Sequence, residues 1–178
     1  DMCTGSGCIA WTLALEMPGA QVAAVDISEK ALAVAAGQDF SEEISRTGAE
    51  APIFMKADVL SCPPESGEGS FARQFDVIVS NPPYVMDSEK AVMRSNVLEH
   101  EPHLALFVPD DDPLLFYRAV AVWAGKLLKS GGLGVVEINE ALGEKTADVF
   151  IQAGFADVLT VKDLNEKDRF VTFRNVPR

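Results

Sequence analysis

Basic residues, cysteine, histidine and long apolar runs are all scarce in this chain of 178 residues, and each scarcity closes off a class of function. Lysine and arginine number 15 against 27 acidic residues, a formal net charge of -12, which argues against a broad surface for phosphate backbones. An acidic field instead favours a cationic macromolecular partner, through steering more than contact energy. Cys3, Cys8 and Cys62 are odd in number and form no Cys-x-x-Cys pair, so neither a disulfide scaffold nor a tetrahedral metal site is expected, and a reducing cytoplasm is the simplest setting. The two histidines, His100 and His103, flank Glu101 and Pro102; the intervening proline and the lack of a matching Cys/His pair make them rim residues near a substrate mouth rather than metal ligands. No run of about eighteen apolar residues exists to span a membrane. The front shows no charged leader followed by an apolar stretch.

What remains is a chain that is 48% hydrophobic, enough for one buried core and too short for two ordinary domains, so one domain over 1–178 is expected. Cys8 to Met17 reads as a short apolar helix ended by Pro18-Gly19, with Cys8 packed as a small apolar group. Gln21 to Ile27 reads as a buried parallel strand. Ser28 caps a helix predicted to run from Glu29 to about Ser45, with Gly48 closing it. Pro52 to Lys56 is a shorter strand, Ser61 to Arg73 a surface excursion, and Phe75 to Ser80 the next strand. Met86 to Asp112 has no clean period.

Further on, Asp112 as cap and Pro113 at the first position open a helix whose last turn holds Lys126 and Lys129 and which Gly131-Gly132 stops. Leu133 to Ile138 is a strand and Leu142 to Ala153 a helix closed by Gly154. Ala156 to Asp163 and Arg169 to Phe173 form a hairpin. Trp11 and Trp123 fall in helical stripes and read as core. Strands alternating with helices point to an α/β fold on a mostly parallel sheet with an antiparallel tail. Ligands of such sheets lie beyond the carboxyl ends of the strands, which places Asp26, Asp58, Asn81 and Glu137 near one rim.

Two stretches carry chemistry. In "DMCTGSGCIA" Gly5 and Gly7 allow a tight turn and close approach of a ligand, and the helix that follows exposes free N–H groups. Asp26, about 20 residues on, is placed to accept hydrogen bonds from vicinal ribose hydroxyls. So far a nicotinamide dinucleotide and S-adenosylmethionine fit equally. Two details favour the second. The Asp1 carboxylate suits the cationic methionine portion of that ligand and would repel a pyrophosphate, and Asp58 is placed to accept from the adenine amine.

The second stretch is "DVIVSNPPYV". Asn81 offers a side-chain oxygen, and Pro82, with fixed φ and restricted further by Pro83, offers its carbonyl. Two convergent acceptors match one planar NH2 group and hold its nitrogen towards an electrophilic methyl. Tyr84 walls the slot. Asn81 is counted with both the substrate and the cofactor residues. Glu137 either receives part of the substrate or supports the mouth.

Taken with "AAVDIS", "ADVL", Glu101-Pro102, "LLFYRAV", "LLKSGG", "VVEI" and "DRFV", in order along nearly the whole chain, these stretches resemble the methyltransferases that modify the side-chain nitrogen of glutamine in peptide chain release factors. The resemblance implies a Rossmann-like class I fold and S-adenosylmethionine as cofactor, bound by Asp1, Gly5, Gly7, Asp26, Asp58 and Asn81. It implies that Asn81 and Pro82 are catalytic, and that with Pro83 and Tyr84 they bind the glutamine of a Gly-Gly-Gln loop. A cytoplasmic monomer is expected, with a release factor as partner and neither stable nucleic acid nor membrane. An N-terminal helical docking domain also belongs to the family, so these residues are expected to be a catalytic domain truncated at its N-terminus, without the strand that leads into the glycine loop. Cys3 stands where many relatives have glycine. Methylation of an exocyclic base amine in DNA or RNA, and cofactor binding without turnover, are the competing expectations.

Overall fold

Strands and helices alternate as their periodicities dictate, and the chain divides into two units, Asp1–Ser70 and Phe71–Arg178. The computed structural model describes residues 1–63, 75–92 and 106–176, with the backbone alone at 91 and 92. Glu101, Pro102, both histidines and most of the excursion after Ser61 lie outside the described residues.

In the first unit, β1 (Ala23–Asp26) pairs in parallel with β2 (Ile53–Lys56), in register from Ala23 against Ile53 to Asp26 against Lys56. The residues ahead of the glycine loop also lie parallel to β1. Met2 bridges to Val25, the Val25 N–H donates to the Asp1 carbonyl at 2.9 Å, and the Thr4 N–H donates to the Val25 carbonyl at 3.0 Å. Helix α1 (Cys8–Glu16) buries Ala10, Trp11 and Ala14. The Trp11 indole N–H donates to the Ala35 carbonyl at 2.9 Å, which satisfies the one polar atom that its burial would otherwise strand. Cys8 is exposed rather than packed, with its sulfur 3.4 Å from the Ser6 hydroxyl. It stands at the first position of α1, where the outward face takes it.

The helix predicted from Glu29 to Ser45 is two helices, α2 (Glu29–Ala36) and α3 (Ser41–Thr47). Ser28 caps α2 as expected, its hydroxyl accepting from the Ala31 N–H at 3.2 Å. Glycine is a poor helix former, and the Gly37 N–H closes α2 on the carbonyls of Ala33 and Val34. The Asp39 carboxylate then takes the Ser41 N–H at 3.0 Å, competing with a helical bond. This break lets Phe40 pack on Trp11 with ring centroids 4.8 Å apart. Gly48, at φ 73°, ends α3 as its sequence position requires.

The second unit holds a four-stranded sheet. Its edge is β3 (Phe75–Ser80), parallel to β6 (Leu128–Glu137); β8 (Asp168–Arg174) runs antiparallel to β6 and to β7 (Ala156–Lys162) at the far edge. A short parallel pair, β4 (Val85–Met86) with β5 (Phe107–Val108), and a 3-10 turn over Asp87–Val92 follow β3. The mostly parallel arrangement with an antiparallel tail is therefore present as a parallel pair in one unit and a mixed sheet in the other.

Helix α4 spans Leu115–Leu127, starting later than Asp112 and Pro113 predict. The Asp112 carboxylate is occupied by the Arg118 guanidinium at 2.6 and 2.5 Å instead of capping N–H groups. Its carbonyl accepts from Leu115 N–H, so residues 112–114 form a turn. Strand β6 begins directly after α4, five residues before the predicted Leu133. Gly131 and Gly132 lie within it as an irregularity, tied by reciprocal backbone bonds to Asn175 at 2.7 and 3.0 Å. Lys129 consequently leaves the helix and pairs with Asp76 at 2.8 Å. After a 3-10 turn at Glu140–Leu142, α5 (Gly143–Gln152) covers the sheet. Phe150 stacks on Phe173 with centroids 4.1 Å apart. A Cβ on Gly134 would fall 2.1 Å from the Phe173 ring, so this strand position has room for no side chain. Trp123 and Tyr117 are fully buried here.

Candidate functional site

Each unit carries one of the two chemical stretches. In the first, Cys3, Gly5 and Gly7 all take positive φ, at 59°, 55° and 84°. The two glycines serve different ends. A Cβ at Gly5 would meet nothing within 4 Å, which leaves the loop backbone open to approach. At Gly7 it would fall 2.8 Å from the Ala35 Cβ and 3.1 Å from the Phe54 ring, so here glycine permits close packing of the helix start. Cys3 adopts the left-handed region despite its Cβ, a conformation that costs roughly 1–2 kcal/mol.

Three carboxylates of this unit bear on the reading. Asp26 fastens the glycine loop: one oxygen accepts the Gly5 N–H at 2.8 Å and the other the Ser28 N–H at 2.8 Å. Each oxygen keeps a further acceptor position. Asp58 accepts the Leu60 N–H at 2.9 Å through Oδ1. Asp1 accepts the Thr4 hydroxyl at 2.5 Å through Oδ2, while its Oδ1 is buried with no protein partner. A buried carboxylate oxygen is stabilised by a donor or a cation and opposes a phosphate. An open glycine backbone, two carboxylates with spare acceptor positions and one orphaned carboxylate oxygen thus fit a ligand bearing hydroxyls, an amine and a positive charge.

In the second unit, Asn81 is exposed immediately after the carboxyl end of β3, and Pro82 and Pro83 behind it are buried. The Tyr84 hydroxyl donates to Glu137 Oε1 at 2.8 Å. Burial first, then the Glu137 carboxylate, pushes the phenol up to about 12. Arg169 stands between two carboxylates, 3.8 Å from Glu137 and 3.3 Å from Asp163. Asn139, just past β6, donates from Nδ2 to the Tyr84 carbonyl at 3.3 Å and to Glu89 at 2.9 Å. Its Oδ1 accepts the Ala141 N–H at 2.9 Å, and its own N–H donates to the Tyr117 hydroxyl at 3.3 Å. Among the described residues no group of three or more His, Cys, Asp and Glu is arranged to hold a metal ion.

Residues 1–105 match the family model described as methyltransferase small domain. The chain belongs to that family. It is 44% identical over 172 residues to the release factor glutamine methyltransferase of Bacteroides thetaiotaomicron, covering 97% of this chain and 58% of that protein. Against the protein of the same name from Flavobacterium psychrophilum it is 42% identical, covering 96% of this chain and 56% of the relative. The chain thus spans little more than half the length of these curated relatives. Among solved structures, a methyltransferase from Pyrococcus furiosus superposes with a TM-score of 0.60 at 18% identity, over 98% of this chain and 72% of the other. TrmN from Thermus thermophilus gives 0.60 at 22%, over 99% and 43%. These likenesses show the Rossmann-like α/β fold of class I methyltransferases, as the sequence led us to expect.

In this methyltransferase chain, Gly5, Gly7, Asp26, Asp58 and Asp1 lie in the first unit and Asn81, Pro82, Pro83 and Tyr84 in the second. Glu137 holds the Tyr84 hydroxyl. Glu89, Asn139, Tyr117 and Arg169 escape a reading of the sequence, because their roles depend on partners far along the chain. The one available signal is an acid and an amide, Glu137 and Asn139, at the carboxyl end of the apolar run that forms β6.

Proposed function

We propose that this chain transfers a methyl group from S-adenosylmethionine to the side-chain nitrogen of the glutamine in a Gly-Gly-Gln loop of a peptide chain release factor, giving N5-methylglutamine and S-adenosylhomocysteine. The observation that carries this reading is the Asn81-Pro82-Pro83-Tyr84 turn at the carboxyl end of β3, braced by Glu137 and Asn139. It is supported by relatives named release factor glutamine methyltransferase that align with almost all of the chain.

The cofactor supplies an electrophilic methyl on a sulfonium. In this reading Gly5, Gly7, Asp26 and Asp58 would hold its nucleoside, and the Asp1 carboxylate would suit its positive charge. The Asn81 Oδ1 and the Pro82 carbonyl each accept one hydrogen of the substrate amide, leaving the face of its nitrogen to attack. Those two oxygens would stabilise the positive charge that develops on the NH2 they hold, and its surplus proton would leave to water. The role given to Glu137 is to hold the Tyr84 phenol, which it accepts beside Arg169. Tyr84 walls the slot.

The test is to incubate the chain with labelled methyl donor and either intact release factor or nucleic acid, followed by peptide mass spectrometry. Label on the Gly-Gly-Gln glutamine is expected. Label in nucleic acid alone, or donor binding with no methylated glutamine, would overturn the reading.

A further inference from the structure

We propose that the exit of β6, residues 137 to 139, clamps Tyr84 at both ends and so sets the shape of the Asn81-Pro82-Pro83-Tyr84 turn, with Glu137 and Asn139 as positioning residues. The functional consequence rests on the reading of that turn as the amide grip; the clamp itself does not.

Tyr84 exposes two polar handles, and both are taken by one short stretch of chain. Glu137 accepts its hydroxyl at 2.8 Å and Asn139 donates to its carbonyl at 3.3 Å. Each of these partners is itself oriented. Arg169 lies beside Glu137 and is held by Asp163. The Asn139 amide has one arrangement that satisfies its neighbours. Its oxygen meets the Ala141 N–H, and its two amine hydrogens are directed at the Tyr84 carbonyl and the Glu89 carboxylate, which are both acceptors. Flipping the amide would oppose donor to donor once and acceptor to acceptor twice. Glu89 also accepts the Met86 N–H at 2.8 Å, so the segment after the turn is closed on itself and then fastened to β6.

The prolines carry this order back to the grip. Pro83 has a fixed φ, so few soft torsions separate the Tyr84 backbone from the Pro82 carbonyl. Fixing Tyr84 therefore fixes the direction of an oxygen two residues away. The Glu137 end of the clamp lies outside the core: the side chains of Glu137 and Arg169 are 25% and 29% exposed, whereas Asn139 is buried.

A double-mutant cycle with a structural readout tests the clamp on the full chain. Tyr84→Phe and Glu137→Ala are each expected to slow methyl transfer to release factor roughly ten-fold with the KM for the methyl donor unchanged. The double variant should be no slower than either single one. Amide hydrogen exchange across residues 84–90 should quicken at least about ten-fold in Glu137→Ala, Asn139→Ala and Glu89→Ala, while β8 keeps its protection. Glu89→Gln retains an acceptor oxygen and should restore slow exchange. Multiplicative losses in the cycle would mean that Glu137 acts on something other than Tyr84 and would overturn the proposal, as would unchanged exchange across 84–90. If the unsubstituted chain leaves release factor unmethylated, the functional reading fails and the exchange result alone decides the clamp.

Discussion

The glycine loop and the Asn-Pro-Pro-Tyr turn are fixed in opposite ways. In the loop, backbone N–H groups meet carboxylates at short or moderate sequence separation: Ser28 and Gly5 both bond to Asp26, 2 and 21 residues apart. Around the turn, side chains reach across 50 to 55 residues, from Glu89 and Tyr84 to Glu137 and Asn139. The loop is therefore specified by where the chain can bend, and the turn by which side chains the sheet brings together. A loop of the first kind fails when a backbone conformation is denied; a turn of the second kind fails when one distant partner is removed.

The sharpest way to break the comparison is at the glycines. Gly7→Ala places a Cβ 2.8 Å from Ala35 at a φ of 84°, and we expect a loss of about 3 kcal/mol from the combined strain and overpacking. Gly5→Ala meets no neighbour within 4 Å and should cost only the left-handed strain, about 1–2 kcal/mol, together with weaker binding of the methyl donor. Denaturant unfolding and calorimetry separate the two, and equal stability losses would contradict the division of roles. Trp11→Phe should cost about 1–2 kcal/mol, because the Ala35 carbonyl loses its buried donor.

Smaller effects sharpen the contrast. The Tyr84 phenol is pushed up to about 12 and Tyr117 is raised by burial as well. Unfolded phenols release their protons near 10, whereas these remain protonated in the fold, so the folded chain binds more protons above that pH and stability falls as pH rises. Tyr84→Phe should make that alkaline decline shallower, as seen in urea midpoints between pH 9 and about 11; an unaltered slope would show that Tyr84 titrates normally. The smallest change expected is at Cys3, where glycine relieves left-handed strain but loosens the unfolded chain, for a net gain of about 0.5 kcal/mol. A fall in unfolding midpoint would show that the Cys3 side chain contributes more than its backbone costs.

Legibility follows the same division. The Ser28 cap, the glycine ending α3, the last hairpin and β3 were readable because each depends on local chemistry or on a nearby turn. The break at Gly37 was not, since a packing contact between Phe40 and Trp11 and a side-chain bond from Asp39 outweigh helical periodicity. The late start of α4 depends on Arg118 claiming Asp112, and the early start of β6 on Asn175 pairing with Gly131 and Gly132. At the site, Asn81 and Pro82 could be singled out for their chemistry. Glu89 could not, and the place of Asn139 at the end of an apolar run does not name its partners, because the two acquire meaning only when a fold brings them together.

In the proposed reaction the Asn81 side-chain oxygen and the Pro82 carbonyl hold the substrate amide for transfer. Single-turnover methylation of release factor by the unsubstituted chain and by Asn81→Ala, with donor affinity measured on both, tests it most directly. We predict a fall of roughly 100-fold or more in the transfer rate with donor affinity little changed. Equal rates, or a rate that falls only in step with lost donor binding, would contradict it.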